Sequence, residues 1–354
     1  MNLKKLRQKI DQIDRQLVDL FNQRTQIALE IGHQKLKNQQ GIYAPERELR
    51  VYKNVLEQNR GPLPPTSLKA IFREVMSAAL SVEKAIRVAY LGPVATFTHQ
   101  ASIQKFGSSV EYLPMEGIAD VFLEVEKGRA DYGVVPIENS TEGAVTHTLD
   151  VLMDSDLKIC SEVLLKIRHS LLSNTSIEKI IKIYSNPQVF GQCRSWLREH
   201  LSKVDQIEVS STSRAAEMAS KEKGAAALAS SLATQYYPIR MLAEGIEDFQ
   251  KNVTRFLVVG SHAAQRTGRD KTSILFSVRD KVGALYEMLV PFKKHRINLT
   301  KIESRPSKKK VWEYCFYIDL VGHQDDAHVK AALKSLEKHC HFLKILGSYP
   351  EDSR

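Results

Sequence analysis

Four segments of this chain put hydroxyls, amides and glycine where an apolar run stops. They are GPVATFTHQA (92–101), PIENSTEGAV (136–145), SNPQVFGQC (185–193) and NVTRF (252–256). Leading into the second, Val134, Val135 and Ile137 run straight into Glu138-Asn139-Ser140-Thr141. In the fourth, Thr254 lies inside the apolar run VTRFLVVG. Hydroxyls can donate or relay a proton, and amides can hold a ligand oxygen without adding charge. One such segment is ordinary turn chemistry, and a satisfied structural threonine in a strand is the commoner case. Four of them fit the edges of a site, because open α/β sheets bind ligands beyond the carboxyl ends of their strands.

A second group is ionic. Leu3, Leu6, Ile10, Ile13, Leu17 and Leu20 step by three and four. Continued, that stripe passes through Arg24, Ile27 or Ala28, Ile31 and Lys35. Arg24 and Lys35 are about three helical turns apart, so they share a face. Phe72, Met76, Ala79 and Glu83 put a carboxylate on another apolar face, and YAPERE (43–48) supplies Arg47 and Glu48 between them. Buried charges are costly unless paired or bound to a ligand. Structural ion pairs, or cationic stems that reach water, account for the pattern as well as a binding pocket does.

Three blocks of elements must position these groups. Residues 1–86 read as helix, with a first helix of about 35 residues, roughly 50 Å at 1.5 Å per residue. A lone helix of that length cannot bury its stripe, which predicts pairing with a second copy. GPLPP (61–65) breaks the chain, and Thr66 and Ser67 are the expected N-caps of a helix running to Ile86. Residues 87–260 alternate strand-like runs (RVAYLG, YGVVPIE, IIKIYS, GAAALAS, VTRFLVVG) with helical stretches such as GIADVFLEVEKG, an α/β pattern. SHAAQRTGRD (261–270) reads as a linker and a hinge. Residues 271–348 follow the order strand, helix, strand, strand, helix, strand of a ferredoxin-like α+β unit.

Composition excludes several classes. At 354 residues, the chain is long for one core. No apolar run reaches bilayer length, and MNLKKLRQKIDQID lacks the apolar stretch of a secretory signal, so a cytoplasmic protein without a membrane partner is expected. Cys160, Cys193, Cys315 and Cys340 form no CxxC pair and no metal spacing; they read as reduced thiols, and neither metal nor organic cofactor is expected. The formal charge of +10 admits nucleic acid, but most lysines and arginines are mixed with acids. The dense run Lys308-Lys309-Lys310 reads as a hairpin turn. An anionic small molecule accounts for the surplus charge, and no nucleic-acid partner is expected.

The ionic block, with LRQKIDQID, NQR, IGHQK, YAPERE and FREVMSAALSVEK, resembles the all-helical chorismate mutase family over nearly all of residues 1–86. The resemblance implies an intertwined dimer with two sites. It maps Arg7, Arg24, Lys35, Arg47, Glu48 and Glu83 onto the pocket. Arg7 lies about 100° round the helix from Arg24, and in the family this arginine reaches the site of the other subunit. Chorismate rearranges to prephenate by an internal pericyclic step, so catalysis rests on holding a conformer and stabilising developing charge. Arginines would clamp the two carboxylates, Lys35 and Glu83 would flank the ether oxygen, and Glu48 would hold the ring hydroxyl. Ala44 and Ala79 stand where many relatives carry Asp and Ser, which puts substrate positioning in doubt. Glu83 stands where some carry Gln, and a glutamate donates a hydrogen bond only when protonated.

The four strand-end segments resemble prephenate dehydratases over residues 87–260, in the same order: PIEN, the STS of 211–213 and the TRF of 254–256 all recur. The resemblance implies two α/β lobes of the periplasmic-binding-protein type with the site in the cleft between them. Thr254, Asn139, Glu138 and Gln192 carry over as active-site residues. Thr96, Thr98, Ser140, Ser211, Thr212, Ser213 and Arg255 carry over as cleft-lining residues. Ala95 replaces a usual glycine. Whether Thr254 or Glu138 is the acid stays open. His99 reads as a loop cap and Cys193 as a packing residue. DKVGALYEMLVPF (280–292) and KIESRPSKKKVWEY (301–314) resemble a phenylalanine-binding ACT domain over residues 271–348. That resemblance implies Gly283, Ala284, Leu285, Asn298, Glu303, Ser304, Arg305 and Pro306 as the effector site. Together the three imply a homo-oligomer, a dimer or a tetramer, that takes chorismate and prephenate and is inhibited by phenylalanine. The alternative is a non-catalytic small-molecule sensor built from the same domain types.

Overall fold

The computed structural model describes residues 2–38, 41, 43–278, 282–306 and 314–352. The expected Lys308-Lys309-Lys310 turn lies outside the described residues. The chain forms two compact units, residues 1–87 with 105–111, and residues 88–104 with 112–354.

The first unit is helical. Helix α1 (Leu3–Lys37) runs 35 residues unbroken, as the stripe predicts. Helices α2 (Pro45–Gln58) and α3 (Pro65–Glu83) complete it, with α3 packed on both. The expected caps Thr66 and Ser67 are inside α3. Pro64 is the N-cap and Pro65 takes the first turn, where a missing N–H costs nothing and the fixed φ is helical. Ile10, Ile13, Leu20 and Ile27 remain between 54% and 59% exposed along α1. Residues 105–111 are stitched to α3. Ser108 donates to Glu74 through both N–H and Oγ, and the Ser109 N–H donates to Ser77 Oγ at 3.0 Å. Gly107 (φ +75°) allows this approach, since a Cβ there would strike the Ser77 side chain.

The second unit begins with β1 (Arg87–Leu91), α4 (Phe97–Phe106), β2 (Glu111–Met115), α5 (Ile118–Glu126), β3 (Tyr132–Asn139), β4 (Gly143–Ala144), α6 (Thr146–Asp154) and β5 (Lys158–Lys166). Next come β6 (Ser170–Ser173), β7 (Lys182–Ser185), α7 (Pro187–Gln192), α8 (Arg194–His200), β8 (Asp205–Glu208), α9 (Thr212–Lys221), β9 (Ala225–Ala229), α10 (Ala233–Tyr236) and β10 (Met241–Glu244). The chain returns through β11 (Val253–Gly260) and continues as β12 (Asp270–Val278), α11 (Ala284–Lys294), β13 (Leu299–Pro306), β14 (Tyr314–Val321), α12 (Ala327–Glu337) and β15 (Cys340–Pro350). One sheet has the order β2-β1-β3-β11-β5, with β4 on β3; a second has β10-β6-β9-β7-β8; a third has β13-β14-β12-β15.

The first two sheets are the two lobes. The chain crosses between them twice, at residues 167–169 and 245–252. These crossings are bonded to each other: Ile167 N–H donates to the Asn252 carbonyl at 2.9 Å, and Gly245 N–H to the His169 carbonyl at 2.9 Å. The third sheet is the βαββαβ unit. Leu275, Cys315, Tyr317, Leu346 and Tyr349 from it share one core with Val135, Ile159 and Leu257 of the first lobe. The approach is close enough that a Cβ on Gly347 would run into the Ile159 carbonyl. The connector at 261–270 has neither strand nor helix before Asp270, but it is not a loose hinge. Ala264 is buried in that core, and Thr267 and Gly268 N–H groups bond Asp270 Oδ2 at 2.9 and 3.0 Å.

Candidate functional site

In the second unit, β3 and β11 are antiparallel neighbours, with Asn139 opposite Thr254 and Glu138 opposite Arg255. Successive side chains on a strand point to opposite faces, so this register sorts the four residues into two pairs. On one face, Asn139 Nδ2 donates to Thr254 Oγ1 at 2.7 Å and to Asn252 Oδ1 at 2.8 Å. Asn139 Oδ1 accepts from the Thr141 N–H (2.9 Å), the Thr141 hydroxyl (2.6 Å) and the Glu142 N–H (3.1 Å). The polar run after Ile137 is therefore a turn that fixes the Asn139 amide. Asn252 Nδ2 donates to Gln192 Oε1 at 3.3 Å, and His169 Nε2 lies 2.8 Å from the same oxygen. A carbonyl oxygen only accepts, so Nε2 carries the proton. Gln192 Nε2 then donates to Glu142 Oε1 at 3.3 Å.

This arrangement has a direction. Thr254 Oγ accepts from Asn139, so its own proton is left to be donated. Among the described residues no acceptor for it is found. Thr254 is buried, and between it and the Glu142 carboxylate the chain runs through amides and a ring that burial keeps neutral: burial pushes the His169 pKa down.

On the other face, Glu138 pairs with Lys301 of β13 at 3.0 Å and lies 4.0 Å from Arg255 Nη1. Arg255, expected to line the cleft, faces away from Thr254. Its guanidinium is buried against Glu162 (Nε, 2.7 Å), Asp319 and the Tyr349 hydroxyl (2.8 Å). Lys271 closes this network on Glu162 at 2.9 Å. A cavity of about 440 Å³ opens here, lined in part by Glu138, Arg255, Lys271 and Thr300.

Several residues expected in the cleft hold its walls. Ser140 Oγ accepts from the Val253 N–H at 3.0 Å, tying the turn to β11. Ser211 caps α9 through the Arg214 N–H at 3.1 Å, Thr212 is buried, and Ser213 bonds the Tyr237 hydroxyl at 2.8 Å. Thr96 Oγ1 donates to the Leu91 carbonyl at 3.2 Å, and Thr98 is buried beside it. His99 caps its loop as expected, Nδ1 accepting from the Ala95 N–H at 3.1 Å, and burial pushes its pKa down to about 4. Ala95 has φ 63°, the left-handed region that explains a glycine preference there. Cys193 is buried and its pKa is pushed up to about 12 by burial, which closes the thiolate route. His169, Asn252 and Glu142 join the site without being singled out from sequence. Asn252 and Glu142 lie inside two of the quoted segments; His169, between β5 and β6, carries no local signal.

In the first unit, Arg24, Lys35, Arg47 and Glu83 act on one another. Burial and then Arg47 lower the Arg24 pKa. Burial raises that of Glu83, against the pull of Lys35 and Arg24. Glu83 Oε2 is buried with no hydrogen-bond partner among the described residues, and it packs on Gly32, where a Cβ would sit 3.0 Å from it. A second arginine close enough to disfavour the charge of Arg24 suits a carboxylate-bearing ligand. Glu48 accepts from the Tyr43 hydroxyl at 2.7 Å and pairs with Lys105 at 3.0 Å. Arg7 is exposed and stands 17 residues before Arg24, about 25 Å along the helix, so a single chain does not bring it to the cluster.

In the third sheet, Gly283 caps α11 at φ 80°, and among the described residues nothing lies within 4 Å of where its Cβ would be; Ala284 is buried, and Leu285 and Asn298 are exposed. Along β13, half-buried Lys301, Glu303 and Arg305 alternate with exposed Ile302, Ser304 and Pro306. Arg305 grips Asp150 of α6 through both carboxylate oxygens, at 3.0 and 3.1 Å.

Family models for chorismate mutase type II, prephenate dehydratase and the ACT domain match residues 6–84, 88–264 and 272–338. The chain is 50% identical over 354 residues to the bifunctional chorismate mutase/prephenate dehydratase of Aquifex aeolicus (strain VF5), covering 99% of this chain and 98% of that protein. It is similar to the crystal structure of the Arthrobacter aurescens prephenate dehydratase in complex with L-Phe (TM-score 0.71, 34% identity, 75% of this chain and 90% of that one). It is also similar to GqqA, described as a novel type of quorum quenching acylase (TM-score 0.70, 27% identity, 75% and 98%). The shared fold therefore does not decide the chemistry; the identity over the full length does.

Proposed function

The chain belongs to the bifunctional chorismate mutase/prephenate dehydratase family, and on that premise we propose which groups do each reaction and how they are regulated. We assign residues 1–86 to the mutase, 87–260 to the dehydratase and 271–348 to regulation.

In the mutase, Arg24 and Arg47 hold the carboxylates of chorismate. Lys35 and a protonated Glu83 donate to the ether oxygen as its C–O bond breaks. The raised Glu83 pKa and its unpartnered oxygen support that protonation state. Glu48 takes the ring hydroxyl as a fourth partner beside Tyr43, Tyr52 and Lys105; a carboxylate has about four acceptor sites. Arg7 completes the site of a second copy, and the open apolar face of α1 is where that copy packs. Four cysteines with no disulfide among the described residues fit a cytoplasmic enzyme.

In the dehydratase, the C–C bond to the ring carboxylate of prephenate breaks, its electron pair enters the ring, and CO2 leaves. The ring C–OH bond breaks at the far side, and the departing hydroxide takes a proton to leave as water. Phenylpyruvate results, with net uptake of one proton. Thr254 supplies that proton and recovers one from solvent. Asn139, Asn252 and Gln192 orient the substrate without adding charge that would oppose its two carboxylates. The observation that carries this reading is the Asn139 Nδ2 to Thr254 Oγ1 bond at 2.7 Å, which leaves the hydroxyl proton outward. Glu138 is a weaker donor candidate, because it points to the opposite face of the strand pair from Thr254, where it pairs with Lys301 at 3.0 Å.

For regulation, phenylalanine binds where α11 begins and β13 ends. The half-buried face of β13 is joined to the dehydratase lobe twice, by Lys301–Glu138 and Arg305–Asp150. A shift of that strand on binding would move the Glu138 end of β3, next to Asn139. The test is to assay both half-reactions in Thr254→Ala: dehydratase activity should fall about 1,000-fold with the mutase unchanged. Loss of both together overturns the assignment.

A further inference from the structure

We propose that His169 is a positioning residue for the dehydratase reaction: its Nε2–H pins the Gln192 side chain so that the NH2 group of that amide faces the cleft. The proposal rests on the dehydratase reading above and deepens it.

His169 belongs to the first of the two inter-lobe crossings, and its main chain is fixed there. Its carbonyl accepts from Gly245 and Ile246 N–H groups (2.9 and 3.1 Å), and its N–H donates to Glu247 Oε2 (2.9 Å). The ring is 1% exposed, with the Phe97 ring edge-on at 5.4 Å. Its chemistry leaves one usable state. Nδ1 is buried without a hydrogen-bond partner among the described residues. The other neutral tautomer would bury an unpaired N–H and aim a lone pair at the Gln192 oxygen 2.8 Å away. The protonated ring would bury the same unpaired N–H. A bare Nδ1 is costly, and an apolar side chain in this place would avoid it. The compensating contact is the Nε2–H donated to Gln192.

That contact decides which way Gln192 points. Two donors, His169 Nε2–H and Asn252 Nδ2–H, converge on its Oε1. Turning the amide over would set an NH2 against both, so the NH2 group is held on the other side, toward Glu142 Oε1 and the cleft. At the far end of the chain, the Thr141 and Glu142 N–H groups fix Asn139. The hydrogen-bond chain across the lobes is thus set at both ends, by main-chain turn geometry at Asn139 and by His169 at Gln192. His169 touches no reacting atom; it acts through Gln192.

The test uses the full chain, with prephenate as substrate and mutase activity as the internal measure of folding. A Gln amide nitrogen mimics His Nε2, whereas an Asn nitrogen mimics Nδ1. His169→Asn and His169→Phe should each lose about 100-fold in dehydratase kcat/KM, with mutase activity retained. His169→Gln should recover to within about 5-fold of wild type, a difference of about 1 kcal/mol or less by the tenfold-per-1.36 kcal/mol relation. In a Gln192→Ala background, His169→Phe should cost no further loss beyond about 2-fold. Full activity in His169→Phe, equal damage in the Gln and Asn variants, or losses that multiply in the double variant would each overturn the proposal. A wild-type protein that leaves prephenate untouched would instead overturn the dehydratase reading itself.

Discussion

The two sites solve opposite electrostatic problems with opposite materials. The helical unit gathers Arg24, Lys35, Arg47 and Glu83, so strongly that burial and Arg47 lower the pKa of Arg24. The lobed unit holds Thr254 among Asn139, Asn252, Gln192 and a neutral His169, all uncharged. Cations help a rearrangement in which an ether oxygen gains negative charge. They would hinder a fragmentation in which a carboxylate must give up its electron pair as CO2. Three cations of the lobed unit lie instead behind the strand, where Arg255, Lys271 and Lys301 meet Glu162, Asp319 and Glu138.

The contrast breaks most sharply at Arg24. Arg24→Ala should lower chorismate turnover about 100-fold to 1,000-fold and leave prephenate turnover unchanged in the same preparation. Equal losses in both would mean the two sites are not separate in function. Lys301→Met should come next: it removes a cation from behind the strand rather than from the cleft. We expect phenylalanine inhibition of the dehydratase to weaken about 5-fold or more, read from inhibition curves on prephenate, with the mutase untouched. Inhibition identical to wild type would remove β13 from the route.

Glu83 sharpens the contrast through pH. Burial raises its pKa, and in the mutase role proposed for it the protonated form is the donor. Mutase activity should therefore be full at low pH and fall as pH climbs through the raised value. Stability of the helical unit carries the same sign, being greatest while Glu83 is protonated. Glu83→Gln should flatten the mutase profile and leave the dehydratase profile as it was; a mutase profile of unchanged slope contradicts the role. The smallest effect is at Ala44, the N-cap of α2, which makes no side-chain capping bond. Ala44→Asp should stabilise the helical unit by about 0.5–2 kcal/mol in denaturant unfolding.

Legibility followed the length scale of the signal. The 35-residue α1 and the β13–β14 pair are written in long periodic runs and read directly from sequence. β5 was missed because Ser161 and Glu162 interrupt KICSEVLLK, and Glu162 is buried only by virtue of Arg255 and Lys271, distant in sequence. The PIEN and TRF segments announced Asn139 and Thr254, but not that the strand register would send Glu138 and Arg255 to the opposite face. The Pro64–Pro65 start of α3 was hidden by the better-known capping residues that follow it. His169 had no readable signal, since its partner Gln192 is 23 positions away and on another element.

The central claim is that Asn139 holds Thr254 Oγ as an acceptor and so turns its proton toward the leaving hydroxyl. Single-turnover conversion of prephenate to phenylpyruvate in Thr254→Val and Thr254→Ser tests it most directly. The serine variant should keep the reaction within about 10-fold of wild type and the valine variant should lose about 1,000-fold. A valine variant as fast as the serine one would contradict it.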